Sequence, residues 1–203
     1  MIQAVIFDVG GVLIRTHDHS GRRAWEERLG LAERESEEIV FGSEMGTAAQ
    51  AGQITDVALW AWVGQRLALD AAQLAAFQQD FWAGDVLDSG LVDLIRALRP
   101  GYQTAIISNA TDNLHHALTH KFAIADAFDL IVGSAVERVM KPHAAIYLRT
   151  LARLGRQPAE AVFIDDSAVN IAAAQALGMA TIHFNPRVDV AAELARLGVQ
   201  PTP

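Results

Sequence analysis

The sequence has no cysteine among its 203 residues. Disulfide bonds, zinc–thiolate sites and a cysteine nucleophile are therefore excluded, and the composition fits a reducing compartment. No apolar run reaches the length that crosses a bilayer. The first residues, MIQAVIFDVGGVLI, lack the basic stretch and the small-residue cleavage site of a signal peptide. We therefore expect a soluble, cytoplasmic protein.

Basic residues are also in deficit, with 16 Lys and Arg against 24 Asp and Glu, which gives a formal charge of -8 at pH 7. An acidic chain repels nucleic-acid backbones and anionic membrane surfaces, so we predict neither as a partner. A small anionic substrate is still compatible with this charge, because a local cation can override it. The hydrophobic fraction of 51% indicates a globular protein with a substantial core.

Short apolar runs typical of buried parallel strands recur along the chain. They cover residues 2–7, 102–108, 129–133, 161–165 and 180–184. Helical patterns separate them at residues 91–98, 145–154 and 167–177, and the last of these begins at a candidate capping residue, Ser167. This alternation predicts an α/β fold with a doubly wound parallel sheet covered by helices on both faces.

Residues 16–88 show no strand-like run, and their patterns predict helices. Helical patterns cover residues 21–29, 33–41, 56–69 and 71–82, and all four tryptophans fall in this part of the chain. We expect Thr55 and Asp70 to be N-caps, the tryptophans to be mostly core, and Arg22 and Arg23 to be solvated. The prediction is an all-helical cap at 16–88, inserted into a Rossmann-like core formed by 1–15 and 89–203.

Polar residues follow the predicted strands where each strand ends. Asp8 ends the first, Ser108 and Asn109 the second, and Asp165 and Asp166 the fourth. Because parallel strands present their carboxyl ends at one edge of the sheet, we expect these side chains to converge there.

Asp8 has the chemistry to be a covalent nucleophile in phosphoryl transfer. A carboxylate can attack phosphorus and form an aspartyl-phosphate, which divides one difficult step into two. Mg²⁺ prefers oxygen ligands and takes only a few of them from protein. We predict that the carboxylates of Asp8 and Asp166 and the carbonyl of Gly10 bind Mg²⁺, with water completing the coordination.

The transferred phosphate needs groups that hold its oxygens and neutralise its charge. Ser108 and Asn109 can donate hydrogen bonds to it, and Gly10 and Gly11 let the backbone approach it closely. Lys141, just before a predicted helix, can neutralise charge shared between Asp8 and the phosphate.

Two further polar residues are candidates for a supporting role. Asp165 precedes the predicted metal ligand Asp166 and can orient its neighbours. Asn170 lies one helical turn beyond Asp166, so it faces the same site, although a solvent-facing residue is equally consistent with that spacing.

Four short segments together resemble the haloacid dehalogenase-like hydrolase superfamily across essentially the whole chain. They are FDVGGV at 7–12, ISNA at 107–110, KP at 141–142 and IDDSAVN at 164–170. The resemblance implies a core with strand order 5-4-1-2-3 and a helical cap. It is nearest to the group of glucose-1-phosphate phosphatases and the N-terminal phosphatase domain of soluble epoxide hydrolases. The expected activity is Mg²⁺-dependent hydrolysis of a small phosphorylated metabolite, a sugar phosphate first, by a monomer or homodimer.

One position departs from the family pattern. Phosphatases of the family usually carry a second Asp, the general acid-base, where this chain has Gly10. Either the protein is a weakened enzyme, or its substrate has a leaving group that needs little protonation. Two other functions stay open: a non-catalytic member that binds a phosphorylated ligand, and a 2-haloacid dehalogenase, whose relatives read Asp-x-Tyr in this motif.

Overall fold

A computed structural model describes residues 1–201 and contains seven strands. They are β1 (Ala4–Phe7), β2 (Ile14–Thr16), β3 (Asp85–Leu87), β4 (Gln103–Ser108), β5 (Leu130–Gly133), β6 (Ala161–Asp165) and β7 (Ala180–His183). Among the described residues, no helix is long and apolar enough to cross a membrane.

Five of these strands form one parallel sheet in the order β5-β4-β1-β6-β7. If these five strands are renumbered 1 to 5 along the chain, their order in the sheet is 3-2-1-4-5. This is the predicted order 5-4-1-2-3 read from the other edge of the sheet. Strand β1 is central, and its last residue, Phe7, lies opposite Ile106 on one side and Ile164 on the other. The residue after β1 therefore emerges between the ends of β4 and β6.

Within residues 1–201, eleven α-helices and two π-helical segments surround the strands. The helices are α1 (Ser20–Leu29), α2 (Glu35–Glu37), α3 (Glu44–Gln50), α4 (Asp56–Arg66), α5 (Ala71–Phe81), α6 (Ser89–Leu98), α7 (Leu114–His116), α8 (Ser134–Glu137), α9 (Ala144–Leu154), α10 (Ala168–Ala176) and α11 (Val190–Arg196). The π-helical segments are Glu38–Gly42 and Ala117–Lys121, and single 3₁₀ turns occur at Ala125–Ala127 and Pro158–Glu160.

Apolar residues on both faces of β1 show why helices cover both faces of the sheet. Val5 and Phe7 belong to a buried cluster with residues of α6 and α11. Ala4 and Ile6 belong to a second cluster with residues of α9 and α10. Because successive strand residues point to opposite faces, an entirely apolar strand requires helices on both sides. The predicted doubly wound architecture is confirmed.

Helices α1 to α5 pack around an aromatic cluster of their own. Trp25, Trp60, Phe77 and Phe81 are buried there, and Trp25 meets Phe77 edge to face with ring centroids 5.5 Å apart. The side chains of Thr55 and Asp70 accept hydrogen bonds from Ala58 N and Gln73 N, so both predicted N-caps are confirmed. A helical cap on the sheet domain is therefore present, while its exact boundaries at 16 and 88 stay a prediction.

The expectation of no strand within 16–88 was wrong. Strand β3 lies there and pairs antiparallel with β2, placing Thr16 opposite Asp85. Each strand has three partly exposed residues, which is too short for an alternating pattern to stand out. This two-stranded ribbon carries the chain into the cap and back.

Two further segments of the cap differ from the sequence pattern. Helix α3 lies between the helical patterns predicted at 33–41 and 56–69, and Ser43 caps it by accepting from Gly46 N. The predicted helix at 33–41 divides into α2 and a π-helical segment. Gly46 packs against the end of that segment, and a β-carbon there would lie 2.4 Å from the Val40 carbonyl oxygen. This close approach explains a glycine inside a helix.

Candidate active site

Asp8 lies immediately after the central strand and is buried. Its backbone N–H donates to Ile164 O at 2.9 Å, which continues the ladder to β6. Its Oδ1 accepts from Val9 N at 2.7 Å, and its Oδ2 lies 2.8 Å from Lys141 Nζ. These three contacts hold the carboxylate at the carboxyl edge of the sheet.

Lys141 bridges two buried carboxylates. Its Nζ lies 2.7 Å from Asp165 Oδ2 in addition to its contact with Asp8, and the lysine itself is buried. A buried charge is tolerated only when it is paired and hydrogen-bonded, so this lysine is held in place by its two acidic partners. The structure therefore brings together three residues that are up to 157 positions apart in the sequence (165 minus 8).

Asp165 is fully buried, and its oxygens are already occupied. Oδ2 faces Lys141, while Oδ1 accepts from Ser167 N at 2.7 Å and from Asn170 Nδ2 at 3.1 Å. Ser167 is the N-cap residue of α10, but its side chain makes no capping hydrogen bond, which corrects the sequence expectation. The contacts of Asp165 agree with a positioning role, and they explain why Asn170 faces the site.

Asn109 is tied to the backbone on either side of Lys141. Its Nδ2 donates to Lys141 O at 2.9 Å, and its Oδ1 accepts from Lys141 N at 2.8 Å. The side chain therefore fixes the loop that carries the lysine. Spacing could not reveal this contact, because it joins two loops 32 residues apart. The predicted contact of Asn109 with phosphate stays a prediction, as does that of the buried Ser108.

The two glycines after Asp8 differ in their surroundings. Gly11 has φ +78°, and a β-carbon on it would lie 2.1 Å from Asp166 Oδ2. Only glycine fits this position, since both the backbone conformation and the neighbouring carboxylate exclude a side chain. A β-carbon on Gly10 would meet nothing within 4 Å. The absence of a side chain at Gly10 is therefore not required by packing.

Three carboxylates give the site an unbalanced negative charge. One oxygen each from Asp8, Asp165 and Asp166 lies within 4.8 Å of the other two. Burial, and to a lesser extent the charge of Asp165, raises the pKa of Asp8 to about 6 although Lys141 opposes the shift. The same two causes raise the pKa of Asp166. Because Asp165 is already engaged, Asp8 and Asp166 are the carboxylates that could hold a hard divalent cation.

A cavity of about 820 Å³ opens between the sheet edge and the cap. Gly10, Gly11, Ser108, Asn109 and Asp166 line its sheet end, so five of the predicted site residues face one space. This volume is typical of a site for a small organic molecule.

Arg22, on the cap side of the same cavity, was expected to be solvated and is instead only 5% exposed. It pairs with Glu37 at 3.0 Å and Asp85 at 3.2 Å, and its Nε donates to Phe81 O at 2.9 Å. Its acidic partners lie 15 and 63 positions away along the chain, so no local pattern signals its burial. Arg23 is exposed, as expected.

Asp56, at the start of α4, also lines the cavity, and no motif or spacing in the sequence marks it as a site residue. It connects the cap to the core: its Oδ1 accepts from Thr111 Oγ1 at 2.8 Å, and its N–H donates to Asp112 Oδ1 at 2.8 Å. Burial raises the pKa of Asp56. These contacts hold the cap against the loop that follows β4.

Comparison with known proteins places this arrangement in a family. The model of the haloacid dehalogenase-like hydrolases matches residues 2–178, which include every predicted site residue. The chain belongs to that family. The resemblance stated from the four short segments is thereby confirmed.

Relatives of this haloacid dehalogenase-like hydrolase include named phosphatases. It is 27% identical to a sesquiterpene phosphatase of Aspergillus oryzae, with 96% of each chain covered. It is 26% identical to a fructose-1-phosphate phosphatase of Escherichia coli, with 86% of this chain and 92% of the relative covered. A Bacteroides thetaiotaomicron family enzyme, solved with magnesium and inorganic phosphate, shares the fold with TM-score 0.80 and 22% identity over 95% of this chain and 99% of the other.

Proposed function

We propose that this hydrolase is a Mg²⁺-dependent phosphatase that acts on small phosphate monoesters through an aspartyl-phosphate at Asp8. The observation that carries the proposal is the position of the Asp8 carboxylate, 2.8 Å from Lys141 Nζ, beside Asp166 and next to the cavity. The phosphatases among its relatives support the reaction class. The magnesium and phosphate bound to the Bacteroides enzyme support the cofactor.

The carboxylates of Asp8 and Asp166, with the Gly10 carbonyl, would hold Mg²⁺. When bound, the ion neutralises charge on the carboxylates and the phosphate. The raised pKa values of Asp8 and Asp166 fit this role, because carboxylates crowded without a cation resist ionisation. Gly11 is matched to the site because it leaves room for the Asp166 carboxylate.

The reaction would proceed in two displacements at phosphorus. A carboxylate oxygen of Asp8 forms a bond to phosphorus as the bond between phosphorus and the alcohol oxygen of the substrate breaks, and the alcohol oxygen takes up a proton from water. Water then attacks the phosphorus of the aspartyl-phosphate, which releases inorganic phosphate and restores the carboxylate. The first displacement leaves an acyl phosphate on Asp8, and the second displacement breaks that linkage.

Lys141 would hold positive charge beside the phosphoryl group in both displacements, since Asp165 and Asn109 fix its position. Ser108 and the backbone at Gly10 and Gly11 would hold the phosphate oxygens. Groups that are fixed before the reaction stabilise developing charge without reorganising, and this is commonly the largest contribution to such catalysis.

Because Gly10 has no side chain, the departing alcohol lacks the family's usual proton donor. General acid catalysis is typically worth about 10²–10⁴-fold, so esters of poor leaving groups should react slowly. Anomeric sugar phosphates and acyl phosphates have leaving groups that need little protonation, so they should react faster. The sugar-phosphate substrate, the monomer or homodimer and the cytoplasmic location remain predictions.

The test is phosphate release from a panel of anomeric, acyl and primary phosphate esters, with and without Mg²⁺, by the wild type and Asp8→Asn. Release that needs both Mg²⁺ and Asp8 is the expected result. Release of halide from a 2-haloacid without metal would instead establish a dehalogenase. Binding of phosphate esters without any turnover would establish a non-catalytic member.

A further inference from the structure

Aromatic side chains from both the cap and the core line the cavity away from the sheet edge, beside charged and polar residues. On the cap side, Phe41 and Trp82 line the cavity with ring centroids 5.8 Å apart, and Trp60 continues the wall 6.3 Å from Trp82. On the core side, Phe122 lines the same space. Lys121 Nζ lies 5.8 Å from the centre of the Trp82 ring and 5.1 Å from that of Phe122, so the two walls approach each other there.

Most cations and polar groups on the cap side of the cavity are already satisfied by the protein. Arg22 pairs with Glu37 and Asp85, and Arg34 also pairs with Glu37. Gln50 Nε2 donates to the carbonyl oxygens of Phe41 and Gly46.

Thr16 and Asp56 are engaged in the same way. Thr16 Oγ1 donates to Asp85, and Asp56 accepts from Thr111. A site that selects a sugar must offer free donors and acceptors to several hydroxyl groups. The polar groups that this wall contains are mostly committed elsewhere.

Two π-helical segments contribute to this part of the cavity from opposite sides. Glu38–Gly42 supplies Phe41 from the cap, and Ala117–Lys121 supplies Leu118 and Lys121 from the core. Such segments cost backbone hydrogen-bond geometry and occur frequently at functional sites. Phe41 lines the cavity and is 40% exposed, so its ring is accessible to a molecule bound there.

Resting on the proposed phosphatase function, we propose that the substrate is a phosphate monoester with an apolar organic group, aromatic or branched aliphatic, and that Phe41 and Trp82 bind that group. The phosphate binds at the Asp8 and Asp166 end, and the apolar part extends along the aromatic wall. Lys121, whose Nζ lies near the Trp82 and Phe122 rings, borders the apolar group, and its charge does not recognise the substrate.

The experiment compares 2-phenylethyl phosphate with glucose 6-phosphate, two primary esters of similar leaving-group chemistry. Binding to Asp8→Asn in the presence of Mg²⁺ is followed by the fluorescence of the cavity tryptophans, and turnover by the wild type is measured separately. We expect the phenylethyl ester to bind about tenfold more tightly, which corresponds to about 1.4 kcal/mol. Glucose 6-phosphate binding equally well or better would overturn the proposal.

Four substitutions at three positions, each tested in the wild type and again combined with Asp8→Asn, identify the contact. Phe41→Ala should weaken binding of the phenylethyl ester and raise its KM, and Phe41→Leu should recover most of the loss. Leu148→Ala is the matched control, since Leu148 is 46% exposed on α9 and does not line the cavity. Lys121→Met, which keeps the stem and removes the charge, should change neither value. Loss of binding in Lys121→Met but not in Phe41→Ala would overturn the proposal in favour of charge recognition.

These results separate the two proposals. Selective binding of the phenylethyl ester, with no phosphate release from it or from the anomeric and acyl esters of the panel, would support the cavity inference and contradict the phosphatase. Asp8-dependent release that favours glucose 6-phosphate would support the phosphatase and contradict the inference.

Discussion

At the scale of single residues, the site is defined by a buried lysine between two buried carboxylates. Lys141 lies 2.8 Å from Asp8 and 2.7 Å from Asp165, and Asn109 fixes its backbone. The convergence of Asp8, Asp165 and Asp166 could be predicted from the sequence, because each follows or ends an apolar strand and parallel strands end at one edge. The hydrogen bonds between Asn109 and the backbone of Lys141 could not be predicted, because they depend on the conformations of two loops.

Removing the charge of Asp8 should stabilise the protein when no divalent cation is present. Burial raises the pKa of Asp8 from 3.8 to about 6, so its contribution to stability is full below pH 3.8 and is lost as pH rises through 6. Urea unfolding with a chelator present should therefore show Asp8→Asn to be more stable than the wild type by roughly 1–3 kcal/mol near neutral pH. The difference should shrink towards pH 4. An Asn variant that is less stable at neutral pH would contradict this account of the site.

Restoring an acid at position 10 should speed the hydrolysis of esters with poor leaving groups. A side chain fits there, since a β-carbon on Gly10 would meet nothing within 4 Å. Gly10→Asp should raise kcat for glycerol 3-phosphate by about 10-fold or more, within the range of general acid catalysis. Gly10→Asn fills the same space without an ionisable proton and is the control. Equal rates in the two variants would show that the missing acid does not limit this enzyme.

At the scale of secondary-structure elements, apolar patterns predicted the sheet strands and the longer helices well. Strand β1 is buried on both faces and reads as an unbroken apolar run, and α4 and α5 begin at the predicted caps. The ribbon of β2 and β3 escaped prediction because each strand spans three residues. The π-helical segment Glu38–Gly42 was not predicted, because its apolar residues have ordinary α-helical spacing and its backbone conformation depends on tertiary packing.

Arg22 should be the most important cation for the stability of the cap. Its guanidinium joins α1 to Glu37, to Asp85 in β3 and to the end of α5 through Phe81 O. Arg22→Met leaves the buried carboxylate of Asp85 without its cationic partner, while Glu37 keeps its ion pair with Arg34. Removing one partner of a buried ion pair typically costs about 3–5 kcal/mol. Urea unfolding measures the loss, with exposed Arg23→Met as the control. Adding Asp85→Asn to Arg22→Met should recover part of the lost stability. Equal stability of Arg22→Met and Arg23→Met would contradict the role of Arg22 in the cap.

At the scale of the whole molecule, the cavity exists only because the cap closes over the sheet edge. Asp56 contacts Thr111 and Asp112, and Ser134 Oγ donates to Gln50 O at 2.6 Å. The sequence predicted a cap but no cavity wall, since these contacts join residues 55 to 84 positions apart. Local patterns carry information about elements and little about which faces of two distant elements meet.

Mg²⁺ should stabilise the folded protein as a whole. A ligand that binds only the native state at 100 times its Kd adds about 2.7 kcal/mol. For a chain of this size that corresponds to a Tm increase of about 5 °C or more. Asp166→Asn should lose most of the increase in a thermal melt. Asp93→Asn, at a side chain 78% exposed on α6, should keep it. Equal increases in both variants would place the ion elsewhere.

The central claim is that Asp8 becomes covalently phosphorylated during turnover. The most direct measurement is rapid acid quenching of the wild type with Mg²⁺ and a hydrolysed ester, followed by mass spectrometry of the peptide that contains Asp8. The account predicts an adduct of one phosphoryl group on that peptide, absent without Mg²⁺ and absent in Asp8→Asn. Phosphate release that continues in Asp8→Asn, or rapid turnover with no adduct on Asp8 at any quench time, would contradict it.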